Sequence, residues 1–188
     1  ATAVRQGLIS ICLSKRILLK LFNRRLGSDI LQYFSGEDVM PDKMHDGEVH
    51  TDVSLVERLL AAQFPQWADL PVVPVPSAGT DNALYRLGVE MVVRLPRIDW
   101  AVDQVAKEQR WLPRLAPHLP LEVPVPLVKG VPDAGYPWSW SVYPWIDGEI
   151  ATRERLDDPR QAAVDLAQFV AALQRIDAAD RPSPEAYN

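Results

Sequence analysis

The chain has 188 residues, of which 47% are hydrophobic and 24% are charged, a balance typical of a globular protein with a sizeable core. The formal net charge of −5 argues against a protein that binds nucleic acid through a basic surface. The single cysteine, Cys12, excludes an intramolecular disulfide framework and a cysteine-rich zinc site, and the three histidines show no metal-ligand spacing. We therefore expect a cytoplasmic protein in which this chain supplies no metal ligands.

Residues 1–43 differ in charge from the rest of the chain. They carry seven lysines and arginines against four acids, whereas residues 44–188 carry 13 basic and 21 acidic residues. Charges interrupt the apolar run LISICLSKRILLKLF, so it predicts neither a transmembrane helix, which needs about 20 mostly apolar residues, nor a signal peptide. We expect a basic extension outside the fold. An amphipathic helix that binds a surface is the alternative.

The regular pattern begins at Met44. The segment TDVSLVERLLAAQF predicts a helix that Thr51 or Asp52 can cap and that Pro65 ends. The proline-bounded segment PVVPVPS predicts a short strand. The runs NALYRLG and EMVVRLP predict two strands of a hairpin, joined by residues 88–90.

A second helix is predicted by IDWAVDQVAKEQRWLPRLAPHL, with Asp99 as its candidate N-cap. Two further strands, within VPVPLVKGVPD and YPWSWSVYPW, flank a turn at residues 132–135. The last segment, DPRQAAVDLAQFVAALQRID, predicts a helix with Pro159 in its first turn. Hairpin-connected strands are antiparallel, and a helix inserted between the third and fourth strands must cover one face. The pattern therefore predicts an α+β fold and not a doubly wound parallel sheet.

One carboxylate in the second predicted helix falls among apolar residues. Glu108 has the same helical phase as four apolar residues, so it faces the sheet. These four are Ala101, Val105, Leu112 and Leu115. A buried carboxylate is costly unless it is paired, and Arg94 is the nearest basic residue of the preceding strand, on the face opposite Val93 and Leu95. The sequence thus favours an Arg94–Glu108 pair; two solvated charges are the alternative.

Small and turn-forming residues lie between the first predicted strand and the hairpin, in PSAGTDNALYRLG. Ser77, Gly79 and Thr80 leave backbone N–H groups that can approach an anion. A loop of this kind, a cation on the third strand and a glutamate on the next helix are the parts that hold nucleotide phosphates in protein-kinase-like enzymes. The loop is not GxGxxG, and a simple hairpin entry is the alternative reading.

In this order, the strings PSAGTDNALYRLG, VVRLPR, KEQRWLPRLAPHLPL and SVYPWIDGE resemble the aminoglycoside phosphotransferase family. The resemblance implies a protein-kinase-like amino-terminal lobe over 44–147, with a five-stranded antiparallel sheet and a covering helix. It implies that 148–188 form the hinge exit and the first helix of a carboxy-terminal lobe. The implied activity is that of a kinase, a transferase that confers antibiotic resistance. Such an enzyme uses ATP or GTP with Mg²⁺ and transfers phosphate to a hydroxyl group of a small molecule of the aminoglycoside or macrolide type.

The same resemblance assigns residues that bind phosphate. Ser77 to Asn82 match the nucleotide loop, Arg94 occupies the position of the phosphate-binding lysine, and Glu108 that of its helix partner. Arginine departs from the usual lysine but keeps the charge and offers a fork of donors to a phosphate. We therefore expect the loop and Arg94 to contact the phosphates, with Glu108 orienting Arg94.

Residues 143–147 match the family's hinge. Tyr143 begins this segment, and the Pro144 carbonyl and the Ile146 N–H would face the edge of the nucleobase. Three tryptophans surround the hinge and the strand before it: Trp138, Trp140 and Trp145. We expect them to pack within the lobe, with stacking on a nucleobase as the alternative.

The family places its chemistry in a second lobe, where H-x-D-x-x-x-x-N supplies the base and a metal ligand. Only His50 begins H-x-D, but it precedes the first predicted helix and Glu57 stands in place of the asparagine. We therefore expect no catalytic residue and no Mg²⁺ ligand in this chain, which would be a fragment truncated before the catalytic loop and inactive alone. A non-catalytic nucleotide-binding or interaction module is the alternative, and a proline- and tryptophan-rich structural domain without a ligand is a third. ATP versus GTP, the acceptor and the oligomeric state stay open.

Overall fold

The structure is a computed structural model that describes residues 47–76, 81–148 and 156–176. The predicted basic extension over residues 1–43 lies outside the described residues. So do three of the predicted loop residues, Ser77, Gly79 and Thr80.

Five strands form one antiparallel sheet. They are β1 (Val72–Pro74), β2 (Asn82–Leu87), β3 (Met91–Pro96), β4 (Val128–Gly130) and β5 (Trp140–Pro144). Their order across the sheet is β1-β2-β3-β5-β4, and every neighbouring pair is antiparallel. The helices are α1 (Val53–Gln63), α2 (Val102–Leu115) and α3 (Pro159–Arg175). The predicted α+β class and five-stranded antiparallel sheet are confirmed.

Helix α1 covers one face of the sheet. Of the two candidate caps, Asp52 is the N-cap, since its carboxylate accepts a hydrogen bond of 2.7 Å from the Leu55 N–H. The helix ends just before Pro65, as predicted. Its apolar stripe packs against alternate residues of the strands to form the core, which includes Val56, Leu59, Leu60, Tyr85, Leu87, Val93, Leu95, Trp140 and Val142.

The alternation of side chains along β3 separates the core from a polar face. Val93 and Leu95 are fully buried in the core, and Arg94 projects to the other face. In the antiparallel register Arg94 pairs with Ser141, and Val92 pairs with Tyr143. Ser141 and Tyr143 of β5 therefore lie on the same face as Arg94.

The start of α2 differs from the prediction. Asp99 is not an N-cap: it is the first residue of a 3-10 turn, Asp99–Ala101, which follows Ile98. Its exposed carboxylate accepts a hydrogen bond of 2.7 Å from the neighbouring Trp100 N–H. The 3-10 turn runs directly into α2 and bonds its N–H groups to the preceding carbonyls, so no side-chain cap is needed there.

The fourth predicted strand is shorter in the structure. Only Val128–Gly130 belong to β4, because Pro124 and Pro126 have no N–H to donate to a strand ladder. The predicted turn over residues 132–135 is present, with Ala134 and Gly135 at φ values of 50° and 84°. Gly130 is required by packing, since a Cβ there would lie 2.0 Å from a ring carbon of Trp140.

The described residues fall into two compact units. One comprises residues 47–76, 81–109 and 124–146, and so includes the sheet, α1 and the first part of α2. The other comprises residues 110–123, 147–148 and 156–176 and includes α3, whose N-cap is Asp158. On the predicted apolar stripe of α3, Phe169 and Leu173 are buried whereas Leu166 is 37% exposed. Within the described residues, none of the helices combines the length and the apolar composition that a bilayer crossing requires.

Candidate functional site

A buried ion pair joins β3 to α2. The Arg94 Nη1 donates to the Glu108 Oε2 over 2.5 Å. Glu108 is 1% exposed, and the Arg94 side chain is 19% exposed. The strand alternation and the helical phase predicted this pair, and the structure contains it. A guanidinium that is held by a buried carboxylate and still reaches solvent can bind an anion from the open side.

Tyr143 is the third member of this cluster. Its hydroxyl donates to the same Glu108 Oε2 over 2.5 Å, in a buried contact between β5 and α2. The sequence reasoning assigned Tyr143 to the hinge as its first residue and missed this side-chain contact. The alternation of β5 could have indicated it, because Trp140 and Val142 face the core and Tyr143 must face away from it.

The cluster leaves specific atoms without hydrogen bonds. The Glu108 Oε1 is buried and has no hydrogen-bond partner within residues 47–76, 81–148 and 156–176. Arg94 contacts Glu108 through Nη1, and its side chain also hydrogen-bonds with the Tyr143 side chain. A guanidinium has five N–H donors, so Arg94 can hold both partners and still offer donors to an anion.

The protonation of both donors is set by their surroundings. Burial alone would lower the pKa of Arg94, but the Glu108 carboxylate and then Tyr143 outweigh this effect, so the pKa of Arg94 is raised above its ordinary value. Burial raises the pKa of Tyr143 above its ordinary value of 10.0, and the Glu108 carboxylate adds to this shift while Arg94 opposes it. Arg94 is thus a permanent cation. Tyr143 stays protonated, and its hydroxyl donates a hydrogen bond to Glu108.

A further polar residue fixes α2 along the sheet. The Gln109 Nε2 donates to the Val128 carbonyl of β4 over 3.0 Å and to the Ser141 Oγ of β5 over 2.9 Å. The sequence reasoning did not single out Gln109, which directly follows Glu108. These two bonds hold the helix in register with β4 and β5, and they thereby hold Glu108 opposite Arg94.

The segment that follows β5 was predicted to be the hinge, and a backbone hydrogen bond fixes its start. The Trp145 N–H donates to the Glu90 carbonyl over 2.6 Å, which ties this segment to the β2–β3 turn. Pro144 ends β5 opposite Met91. The next N–H, that of Ile146, makes no hydrogen bond within the described residues and is therefore available to an acceptor.

The tryptophans pack within the protein. Trp140 is fully buried in the core, with the Phe64 ring edge-on at 5.5 Å, and Trp138 lies edge-on to Tyr136 at 6.0 Å. The Trp145 ring carries the Arg86 guanidinium at 3.9 Å from its centroid. The predicted packing role is confirmed for Trp138 and Trp140, and one face of Trp145 is occupied by Arg86.

Two further expectations concern Asn82, assigned to the nucleotide loop, and Mg²⁺, for which this chain was expected to supply no ligand. Asn82 is the first residue of β2, paired with Pro96, and so belongs to the strand and not to the loop. For Mg²⁺, the described part of the chain contains no group of three or more histidine, cysteine, aspartate or glutamate side chains that could hold a metal ion. The described residues therefore do not fit a Mg²⁺ site.

Comparison with known proteins gives the following matches. The model of the phosphotransferase enzyme family matches residues 72–186. The GDP complex of wild-type aminoglycoside 2'-phosphotransferase-IIIa is similar with a TM-score of 0.61 at 21% identity, over 68% of this chain and 43% of that chain. The GDP and kanamycin complex of APH(2")-IIia is similar with a TM-score of 0.58 at 22% identity, over 65% and 42%. The GDP complex of a mutant of the aminoglycoside 2'-phosphotransferase-IIIa is similar with a TM-score of 0.56 at 21% identity, over 64% of this chain and 41% of that chain.

These likenesses show the fold, which is that of the kinase-like aminoglycoside phosphotransferases. The chain spans less than half the length of each of these three structures. No curated protein matches the chain.

Proposed function

Because this chain belongs to the phosphotransferase enzyme family, we propose that its sheet and α2 form the nucleotide-binding lobe of an ATP- or GTP-dependent O-phosphotransferase. The acceptor would be a small molecule with a hydroxyl group, of the aminoglycoside or macrolide class. The observation that carries the proposal is Arg94, a permanent cation that is held on the buried Glu108 and whose side chain is still 19% exposed, so that its fork of donors can reach an anion.

Each predicted residue has a role in this proposal. Arg94 binds phosphate oxygens and Glu108 orients it, while backbone N–H groups of residues 77–80 cover the phosphates. At the hinge, the Pro144 carbonyl and the Ile146 N–H bind the edge of the base. Phosphoryl transfer relies on positioning and on the stabilisation of charge, so a fixed cation near the phosphates is the contribution that this lobe can make.

The first test is the effect of Arg94→Ala on nucleotide binding, measured by calorimetry with GDP, ATP and the corresponding nucleosides. A lost charge-assisted contact to phosphate is expected to weaken nucleotide binding about 10- to 100-fold. Nucleoside binding is expected to stay unchanged, because Arg94 does not contact the base. Arg58→Ala, which removes an exposed arginine on α1, is the matched control and should change neither affinity.

A second variant guards against misfolding. Arg94→Ala leaves Glu108 buried without its cation, which can destabilise the lobe. Arg94→Met with Glu108→Met replaces the whole pair by apolar side chains of similar size, so it should fold and still lose the preference for nucleotide over nucleoside. A folded double variant that retains the wild-type preference would refute the assignment of Arg94 to phosphate.

A further inference from the structure

The hydrogen bonds of Glu108 are distributed unevenly. Both described donors, the Arg94 Nη1 and the Tyr143 hydroxyl, bind Oε2 at 2.5 Å each, and the buried Oε1 has no partner among the described residues. Two donors therefore share one oxygen of a carboxylate that is 1% exposed, and the Arg94 and Tyr143 side chains also hydrogen-bond with each other. The three side chains form one cluster, in which Glu108 has Tyr143 as a second donor besides Arg94.

Binding of a phosphate by Arg94 would change this balance. A phosphate draws the guanidinium towards the open side of the site, and its contact with Glu108 weakens. A buried carboxylate that loses its cation without another donor is strongly disfavoured. The Tyr143 hydroxyl is already in place on the same oxygen, and its raised pKa keeps the proton on it, so the carboxylate keeps one hydrogen bond while Arg94 turns.

We propose that Tyr143 is a positioning residue for phosphate binding: its hydroxyl holds the Glu108 carboxylate and so makes Arg94 available to the phosphates of the nucleotide. This role rests on the proposed function and extends it, because it assigns the Tyr143 side chain to the phosphate contact as well as its backbone to the hinge. Without the hydroxyl, the buried Glu108 carboxylate has no described donor left when Arg94 turns to a phosphate. The cost of moving Arg94 then rises, and phosphate binding weakens.

The test is Tyr143→Phe in the 188-residue chain, with the affinities for GDP and guanosine, and for ATP and adenosine, measured by calorimetry. Phenylalanine keeps the ring and removes only the hydroxyl. The affinity for the nucleotides is expected to fall about tenfold, the effect of one buried hydrogen bond to a charged group, while the nucleoside affinities stay the same. Equal losses for nucleotide and nucleoside would show that Tyr143 acts on the base or on the fold and would overturn the proposal.

Tyr85→Phe is the matched control. Tyr85 is also a buried tyrosine of this sheet, but it lies on the core face and its hydroxyl donates to the Thr51 Oγ1 over 3.0 Å. Its loss removes a buried hydrogen bond of the lobe without touching Glu108. Tyr85→Phe should leave the ratio of nucleotide to nucleoside affinity unchanged, and a change equal to that of Tyr143→Phe would refute a specific role for Tyr143.

A double variant separates this proposal from the assignment of Arg94. If Tyr143 acts through Arg94, Tyr143→Phe should have no effect on the nucleotide preference in the background that carries Arg94→Met and Glu108→Met. A full tenfold effect in that background would overturn the proposal. If Arg94→Ala abolishes the preference for nucleotide over nucleoside and Tyr143→Phe does not alter it, only the proposed role of Tyr143 is refuted. If the wild-type chain shows no preference for nucleotide over nucleoside, the proposed function itself is refuted.

Discussion

Arg94 shows how one residue can serve two partners. A guanidinium has five N–H donors in a plane, so one nitrogen can hold Glu108 while the others remain for an anion. A lysine ammonium would have to share a single nitrogen between the carboxylate and the phosphate. Under the proposed function, an arginine at this position therefore allows both contacts, and the hydroxyl of Tyr143 on the same carboxylate fits an arrangement in which the cation is only partly held.

The raised pKa values of two buried tyrosines allow a prediction of how stability depends on pH. Burial raises the pKa of Tyr136 and Tyr143 above the ordinary value of 10.0, so the folded protein keeps both protons after the unfolded chain has lost them. Above pH 10 the unfolded state thus binds fewer protons, and the free energy of unfolding falls as the pH rises. The slope is expected to reach about 1.4 kcal/mol per pH unit for each tyrosine, with no contribution from either below pH 10.

Urea unfolding between pH 8 and about pH 11 measures this slope. Tyr136→Phe and Tyr143→Phe should each reduce it, and each by a similar amount. An unchanged slope in both variants would show that these hydroxyls ionise in the folded protein.

At the scale of elements, the two faces of the sheet are covered in different ways. Helix α1 packs on its face through apolar side chains, whereas α2 adds hydrogen bonds from two polar side chains, Glu108 and Gln109, to the other face. Apolar packing tolerates small shifts, but hydrogen bonds require defined distances. The polar contacts of α2 therefore fix the position of the site more strictly than burial alone could.

A second buried ion pair connects the segment before α1 to the end of β3. The Arg97 Nη2 lies 2.5 Å from the Glu48 Oε2, both side chains are buried, and the Val49 N–H donates to the Arg97 carbonyl over 2.8 Å. Glu48→Ala would leave the Arg97 guanidinium buried without this carboxylate, so the free energy of unfolding is expected to fall by about 3 kcal/mol.

Chemical denaturation of three variants measures this effect. Glu57→Ala removes an exposed glutamate of α1 and should change stability by less than about 0.5 kcal/mol. Glu48→Ala combined with Arg97→Met removes both charges and should recover part of the loss. A Glu48→Ala protein as stable as Glu57→Ala would show that this pair does not anchor the segment.

At the scale of the whole molecule, the proposed function assigns this chain the binding of nucleotide and not the transfer of phosphate. The sequence contains no H-x-D-x-x-x-x-N, and the described residues offer no metal cluster. We expect the 188-residue chain to bind nucleotide and to transfer no γ-phosphoryl group to aminoglycosides or macrolides by itself. Transfer from γ-labelled ATP or GTP, with and without a second lobe added in trans, measures this; turnover at enzyme-like rates by the chain alone would contradict it.

Much of this molecule could be predicted because its signals are local. The α1 cap at Asp52, the hairpin at residues 88–90 and the inner face of α2 follow from patterns of four to fifteen residues. The errors were local as well. A 3-10 turn replaced the predicted cap at Asp99, and prolines shortened the fourth strand, because a turn can satisfy N–H groups that a cap would otherwise bind and a proline has no N–H to donate.

The sequence by itself determined which face each key residue occupies, because strand alternation and helical phase are properties of neighbouring residues. They placed Arg94 opposite the core and Glu108 towards the sheet. Only the tertiary structure decided how these residues share their contacts. Tyr143 reaches Glu108 across 35 residues of sequence, and this contact exists because the β3–β5 register and the docking of α2 bring both side chains to one face. The residue pattern of a single helix or strand cannot predict a contact between two elements that are this far apart in sequence.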